Sequence, residues 1–205
     1  THFRQEDVFL LWRSAPCMVV GSYQNICREV RPVKLWRQGV PVLRRISGGG
    51  AVYHDLGNLN YSCITTQDGG VDYGKSLAPI LEALNAIGVP ARQNRTSDIA
   101  IGQEKISGSA QRSVGGRLLH HGTLLFDSDL TALEDISVRG KNDCVQTKGT
   151  QSAICAVTNI RPHLAEDMTI ETFRQRLLDH MVPDPGGRRE LTPAQREEVF
   201  RLRAE

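Results

Sequence analysis

Between Phe9 and Phe126 the apolar residues of this chain come in short runs separated by turn formers, and only one stretch breaks that pattern with helical spacing. Runs of four to eight apolar residues bounded by Gly, Pro, Asn or Ser are too short for helices and read as strands. Phe9-Leu10-Leu11-Trp12 and Cys17-Met18-Val19-Val20 are two such runs, parted by the turn signal Ser14-Ala15-Pro16. Val40-Pro41-Val42-Leu43, Ala51-Val52-Tyr53 and Asn60-Tyr61-Ser62-Cys63-Ile64 continue the series. Leu77, Ile80, Leu81, Leu84 and Ile87 then recur at helical spacing until Gly88 stops them, with Pro79 expected in a first turn, where its missing N–H is tolerated. Strands resume at Ile99-Ala100-Ile101 and at 105–110, and Gly115-Gly116 predicts a hairpin into Arg117–Phe126.

Past Asp127 the chain turns to helices and polar loops. Thr169 is placed to cap a helix carrying Ile170, Phe173, Leu177 and Leu178. Thr192-Pro193-Ala194-Gln195 combines a capping box with proline at the first helical position. Strands first, with helices interspersed rather than alternating, predict an α+β domain. Residues 183–205 read as a connector and a charged terminal helix with little apolar face, one that packs on something outside this chain.

At 205 residues the chain is long enough for one domain that buries roughly two-thirds of its unfolded surface. A net charge of +2 is too mild for a nucleic-acid partner. No apolar run approaches the roughly 20 residues a bilayer requires, and the opening residues are too polar for a signal peptide. Cys17, Cys27, Cys63, Cys144 and Cys155 are odd in number and never spaced C-x-x-C, which suits neither a disulfide framework nor a zinc site. Together these features predict a cytoplasmic protein with reduced cysteines.

Three segments carry more than a fold requires. In Arg44-Arg45-Ile46-Ser47-Gly48-Gly49-Gly50-Ala51-Val52-Tyr53-His54-Asp55, a triple glycine lets backbone N–H groups approach anionic oxygens, and two arginines offer a fork for phosphate or carboxylate. A flexible turn with solvated arginines is an equally good reading of the glycines alone. The run matches neither a dinucleotide fingerprint nor a P-loop. In Ser97–Arg112, a strand over 105–110 places Lys105, Ser107 and Ser109 on one face, beside glycine. Taken alone, Lys105 reads as a solvated edge-strand lysine. In His120-His121-Gly122-Thr123-Leu124-Leu125, adjacent histidines on a strand point to opposite faces, so at most one lines any pocket and a di-histidine metal site is disfavoured.

In combination and in this order, Arg-Arg-x-Ser-Gly-Gly-Gly-Ala-Val-Tyr-His-Asp, Asp-Ile…Lys-Ile-Ser-Gly-Ser-Ala-Gln-Arg and His-His-Gly-Thr-Leu-Leu closely resemble the lipoate–protein ligase A family. The likeness runs from about Leu11 to Asn159 and includes Leu11-Trp12-Arg13, Val20-Gly21, Gln24-Asn25, Thr147-Lys148-Gly149, Ser152 and Val157-Thr158-Asn159. It implies mixed or antiparallel sheets flanked by helices, the catalytic-domain fold shared with biotin ligases and octanoyltransferases, over residues 1–182. It implies ATP, Mg²⁺ and lipoate, with a lipoyl-AMP intermediate. The acceptor it implies is the lysine of an apo lipoyl domain, of a 2-oxoacid dehydrogenase E2 subunit, a glycine-cleavage H protein or a similar protein. By resemblance, Arg45 and Gly50, Ala51, Val52 and Tyr53 contact the nucleotide. Lys105 touches both the lipoyl carboxylate and the α-phosphate, and Asp98 lies near the phosphates where Mg²⁺ sits. Ser47, Gly48, Gly49, Ser109, Arg112 and His121 are further candidates for the pocket wall.

An octanoyltransferase of the same superfamily is the nearest rival. It needs a cysteine nucleophile, expected shortly before the strand that leads to the lysine, and residues 91–98 contain none. A biotin ligase is disfavoured because its glycine-arginine-glycine phosphate motif is missing. A non-catalytic lipoate binder has no use for a phosphate cradle. Members of the family usually carry a strand and helix ahead of the Leu-Trp-Arg segment and often a C-terminal accessory domain, so a separate accessory partner is a further expectation. Residues 134–150 are expected to form a mobile loop that closes on the adenylate, with Thr147-Lys148-Gly149 acting there.

Overall fold

A computed structural model of the chain describes residues 5–67, 70–138, 148–153 and 155–204. Most of the expected closing loop, including Thr147, therefore lies outside the described residues. Of its flanks, 134–136 belong to a helix rather than a loop.

The strands are β1 (Val8–Trp12), β2 (Cys17–Val20), β3 (Val42–Arg44), β4 (Val52–His54), β5 (Asn58–Thr66), β6 (Arg92–Asn94), β7 (Asp98–Ile101), β8 (Glu104–Val114) and β9 (Arg117–Leu125). The helices are α1 (Ile26–Glu29), α2 (Pro32–Arg37), α3 (Tyr73–Ala86), α4 (Leu130–Ile136), α5 (Ile170–Met181) and α6 (Pro193–Ala204). Six strands form an antiparallel sheet in the order β1-β5-β9-β8-β7-β6, and three form a mixed sheet, β3-β2-β4. The α+β expectation, with mixed and antiparallel sheets flanked by helices, holds.

The main core lies between the large sheet and helices α3 and α5. Leu77, Ile80 and Leu84 of α3 and Phe173 and Leu177 of α5 are fully buried against Tyr61, Ile99, Ile106 and Leu124 of the sheet. Phe126 and Phe173 stack with ring centroids 4.7 Å apart. A smaller core of Met18, Val20, Val30, Leu35 and Ile136 ties the mixed sheet to α1, α2 and α4. The β8–β9 hairpin turns through Gly115 and Gly116, both at positive φ (56° and 73°), which is where glycine bears no steric penalty.

Two expectations need correction. Pro79 lies in the second turn of α3, not the first, because Asp72 caps the helix by accepting the Lys75 N–H at 3.0 Å and so starts it at Tyr73. The apolar spacing begins only at Leu77, since the first turn is polar. The expected shared face of Lys105, Ser107 and Ser109 is broken as well. The β7–β8 register shifts at Ile99/Ala100, so that Ala100 pairs with Lys105 while Ile99 pairs with Ser107. This bulge at Ile106 adds one residue to β8 and moves Lys105 to the face of Gly108. The capping residues were legible: Thr169 accepts the Thr172 N–H, and Thr192 and Gln195 bond each other's backbone N–H reciprocally.

Candidate active site

The site is built where the glycine turn after β3 meets the middle of β8 and β9. Gly49 adopts φ 90°, which a side-chain-bearing residue resists. The turn is clamped through its carbonyls: the Arg45 guanidinium donates to Gly48 O (2.6 Å), Gly50 O (2.7 Å) and Val19 O (3.2 Å). Arg44 does the same for the neighbouring loop, donating to Gly21 O (2.8 Å) and Gln24 O (2.9 Å). With the Gly48 and Gly50 carbonyls drawn onto Arg45, the N–H groups of Gly48 and Gly49 have no acceptor among the described residues. This is the arrangement an anion-binding turn needs.

Ser47 is buried, and its Oγ lies 2.6 Å from His121 Nε2. Burial, reinforced by the Arg45 charge, pulls His121 down to about 4, so it is neutral near pH 7. His120 faces the other way, its Nδ1 3.0 Å from Gln111 Nε2 and its ring edge-on to Tyr73 of α3. The opposite-face expectation for the two histidines therefore holds. Arg112 reaches from β8 to the carbonyl of Ile46, bracing the turn from outside.

Beside the turn opens a cavity of about 310 Å³. Ala51, Val52 and Tyr53 form one wall, and Lys105, Gly108 and Thr123 of the large sheet another. Lys105 Nζ is 2.9 Å from Asp98 Oδ1, and the lysine side chain is 25% exposed, enough to reach a ligand. Gly108 leaves the room the ammonium occupies: a methyl there would sit 2.8 Å from Nζ. Lys105 is thus a half-buried cation held by a carboxylate in a cavity, not a solvated edge lysine. Asp98 is buried and pairs with Lys105, with Ser97 Oγ at 3.3 Å from the same oxygen. Among the described residues no group of three or more His, Cys, Asp and Glu is arranged to hold a metal.

Ser109 is not brought to the cavity. Its hydroxyl donates to Ser97 O at 2.8 Å, since the bulge leaves it on the face opposite Lys105. Several residues given no site role from the sequence do line the cavity: Glu29 of α1, Leu133 of α4, and Cys155 and Val157 from the segment beside β8. That segment is pinned along Lys105 by Lys105 N–H to Ala156 O (2.9 Å) and Thr158 N–H to Lys105 O (3.0 Å). The Asn159 side chain clasps both the N–H and the carbonyl of Ser128. The one available hint was the Ser152 and Val157-Thr158-Asn159 likeness; nothing local marks Glu29. A larger groove of about 810 Å³ lies on the other face of the sheet and includes, of the three motif segments, only His120. Size alone does not locate the site.

Residues 1–182 match the model of the lipoyl protein ligase A/B catalytic domain. The chain belongs to the lipoyl protein ligase A/B family. It is 40% identical over 183 residues to the lipoate–protein ligase LplJ of Bacillus subtilis, a match covering 88% of this chain and 55% of that protein. It is 39% identical to lipoate–protein ligase 1 of Staphylococcus aureus, covering 85% and 53%. The chain thus spans about half the length of these relatives. Among solved structures it is similar to Plasmodium falciparum LipL1 in complex with lipoate (27% identity, TM-score 0.74, 92% of this chain and 53% of that one). The fold is also that of a bipartite lipoate protein ligase from Thermoplasma acidophilum, described with its E2 lipoyl domain (21% identity, TM-score 0.79, 98% and 81%). Among the described residues no helix is long and apolar enough to cross a membrane.

Proposed function

We propose that this chain is the catalytic part of a lipoate–protein ligase, which joins lipoate to AMP and passes the acyl group to a lysine of an apo lipoyl domain. The observation that carries this reading is Lys105, an ammonium facing the cavity beside the arginine-clamped glycine turn. In the first half-reaction a carboxylate oxygen attacks the α-phosphorus of ATP and pyrophosphate leaves. Two anions must be held together, so positioning and electrostatic stabilisation are what the protein supplies. Lys105 bridges carboxylate and α-phosphate, while the glycine N–H groups and the Ala51–Tyr53 wall hold the nucleotide. Val52, Leu133 and Val157 give the acyl chain apolar surface in the same cavity.

In the second half-reaction the acceptor amine attacks the acyl carbonyl and AMP leaves, with Lys105 stabilising the oxyanion that develops. Asp98 orients Lys105 through one carboxylate oxygen, and its other oxygen carries no bond to a described residue. Mg²⁺ takes one or two carboxylates together with substrate phosphates, so Asp98 fits as its protein ligand. Bound there, Mg²⁺ would neutralise phosphate charge.

Lipoate-dependent ATP–pyrophosphate exchange by the chain tests the reading. Lys105→Ala should abolish exchange with the circular-dichroism melt unchanged, and near-normal exchange in that variant would remove Lys105 from its role.

A second reading rests on Cys155, a half-buried thiol lining the same cavity as Lys105. It would make the chain an acyltransferase that accepts an octanoyl or lipoyl group from a carrier thioester onto Cys155 and needs no ATP. Transfer without ATP that is lost in Cys155→Ser would select this reading over the ligase.

A further inference from the structure

Ser152 joins three separate stretches of chain with one hydroxyl. Its Oγ accepts the Ala51 N–H at 2.8 Å and the Gln24 Nε2 amide at 3.2 Å, and donates to Glu29 Oε2. A serine hydroxyl has one donor and two acceptor positions, so Ser152 is saturated. The Ser152 backbone N–H donates to the same Glu29 oxygen at 3.2 Å, and the Gly21 N–H closes the network on Gln24 Oε1 at 2.9 Å. Glu29 is 5% exposed and Gln24 also 5% exposed, so this is a buried polar network in which each lost partner leaves others unpaired. The fit is close on the glycine side too: a methyl on Gly50 would sit 3.0 Å from Ser152 Oγ. Arg45 holds the carbonyls of the turn, but among the described residues only Ser152 takes the amide at Ala51, where the turn becomes the cavity wall.

We infer that Glu29 and Ser152 form a stitch that fixes the Ala51 end of the glycine turn, and so act as positioning residues for the nucleotide rather than as groups that react. Glu29 holds Ser152 through both its N–H and its O–H, and Ser152 holds Ala51. The inference rests on the ligase reading for its kinetic consequence but not for its structural one, so two measurements keep them apart. Hydrogen–deuterium exchange of residues 47–53 reads the stitch directly. Ser152→Ala and Glu29→Leu should speed exchange of the Ala51 amide in that stretch at least tenfold, with the α3 residues 77–84 unchanged as an internal control. Steady-state ATP–pyrophosphate exchange reads the consequence: KM for ATP should rise at least tenfold while KM for lipoate stays within twofold. Glu29→Gln keeps an acceptor for Ser152 and should recover most of both effects. Unchanged deuterium uptake at 47–53 overturns the stitch, and faster uptake with an unaltered KM for ATP overturns the positioning role. If the parent chain shows no pyrophosphate exchange, the ligase reading fails and deuterium uptake alone decides whether the stitch stands.

Discussion

Gly108 is the position where the smallest change should cost the most activity for the least stability. In Gly108→Ala the new methyl would lie 2.8 Å from Lys105 Nζ and 2.9 Å from Cε, against an ordinary contact of 3.4 Å or more. The ammonium must then retreat by about 0.6 Å, the difference between 3.4 and 2.8, and on the proposed reading this displaces it from the carboxylate and α-phosphate it would bridge. Misplacing a reacting contact by about 1 Å can cost on the order of 10²-fold in rate. A shift somewhat smaller than that predicts a loss of roughly 10- to 100-fold in adenylation, equivalent to about 1.4–2.7 kcal/mol in the barrier. Stability should barely change, because the atoms met are the flexible end of a lysine at a cavity wall rather than backbone. Pyrophosphate exchange measured beside a thermal melt separates the two. Exchange within twofold of the parent at an unaltered melting temperature would show that Lys105 has room to spare, and the argument from its confinement would fail.

Gly21→Ala should also impair exchange, because its methyl would overlap the backbone carbonyl oxygen of Gly49 and push the glycine turn outward. Wild-type-like kinetics in that variant would mean the turn is not clamped. Acid should destabilise the fold in a defined window. Burial, with help from neighbouring Arg45 or His121, pulls His54, His120 and His121 down to about 4 from a usual 6.5. The unfolded chain takes up these protons first, so the stabilisation is complete above about pH 6.5 and is lost as pH falls toward 4. The slope is at most about 4 kcal/mol per pH unit, three protons at about 1.4 kcal/mol each. Urea midpoints at pH 7, 6 and 5 that do not fall would contradict it.

The amino-acid sequence settled which segments are strands and which are helices wherever periodicity and punctuation agree. The runs at 9–12, 17–20 and 117–126, the glycine hairpin at 115–116 and the caps at Thr169 and Thr192 depend on neighbours a few residues away. They could be read without knowing what lies across the sheet. The motif order did the same for the chemistry, bringing Arg45, the glycine turn, Lys105 and His121 forward as one set.

What the sequence could not decide is geometry set by partners distant in the chain. Whether Lys105 faces solvent or a cavity depends on a one-residue bulge against β7, and strict alternation along 105–110 gives the wrong face. Ser109 drops out of the site for the same reason. Arg45 and Arg44 look like ligand-binding arginines in sequence, but the folded chain uses their guanidinium groups on its own carbonyls, across up to 26 residues. Glu29 and Ser152 are separated by 123 residues, and nothing local in the sequence marks Glu29 as the partner of Ser152. A side chain's neighbours along the chain set its backbone conformation. Its tertiary neighbours set what its polar atoms meet once water is excluded, and that is where this site is made.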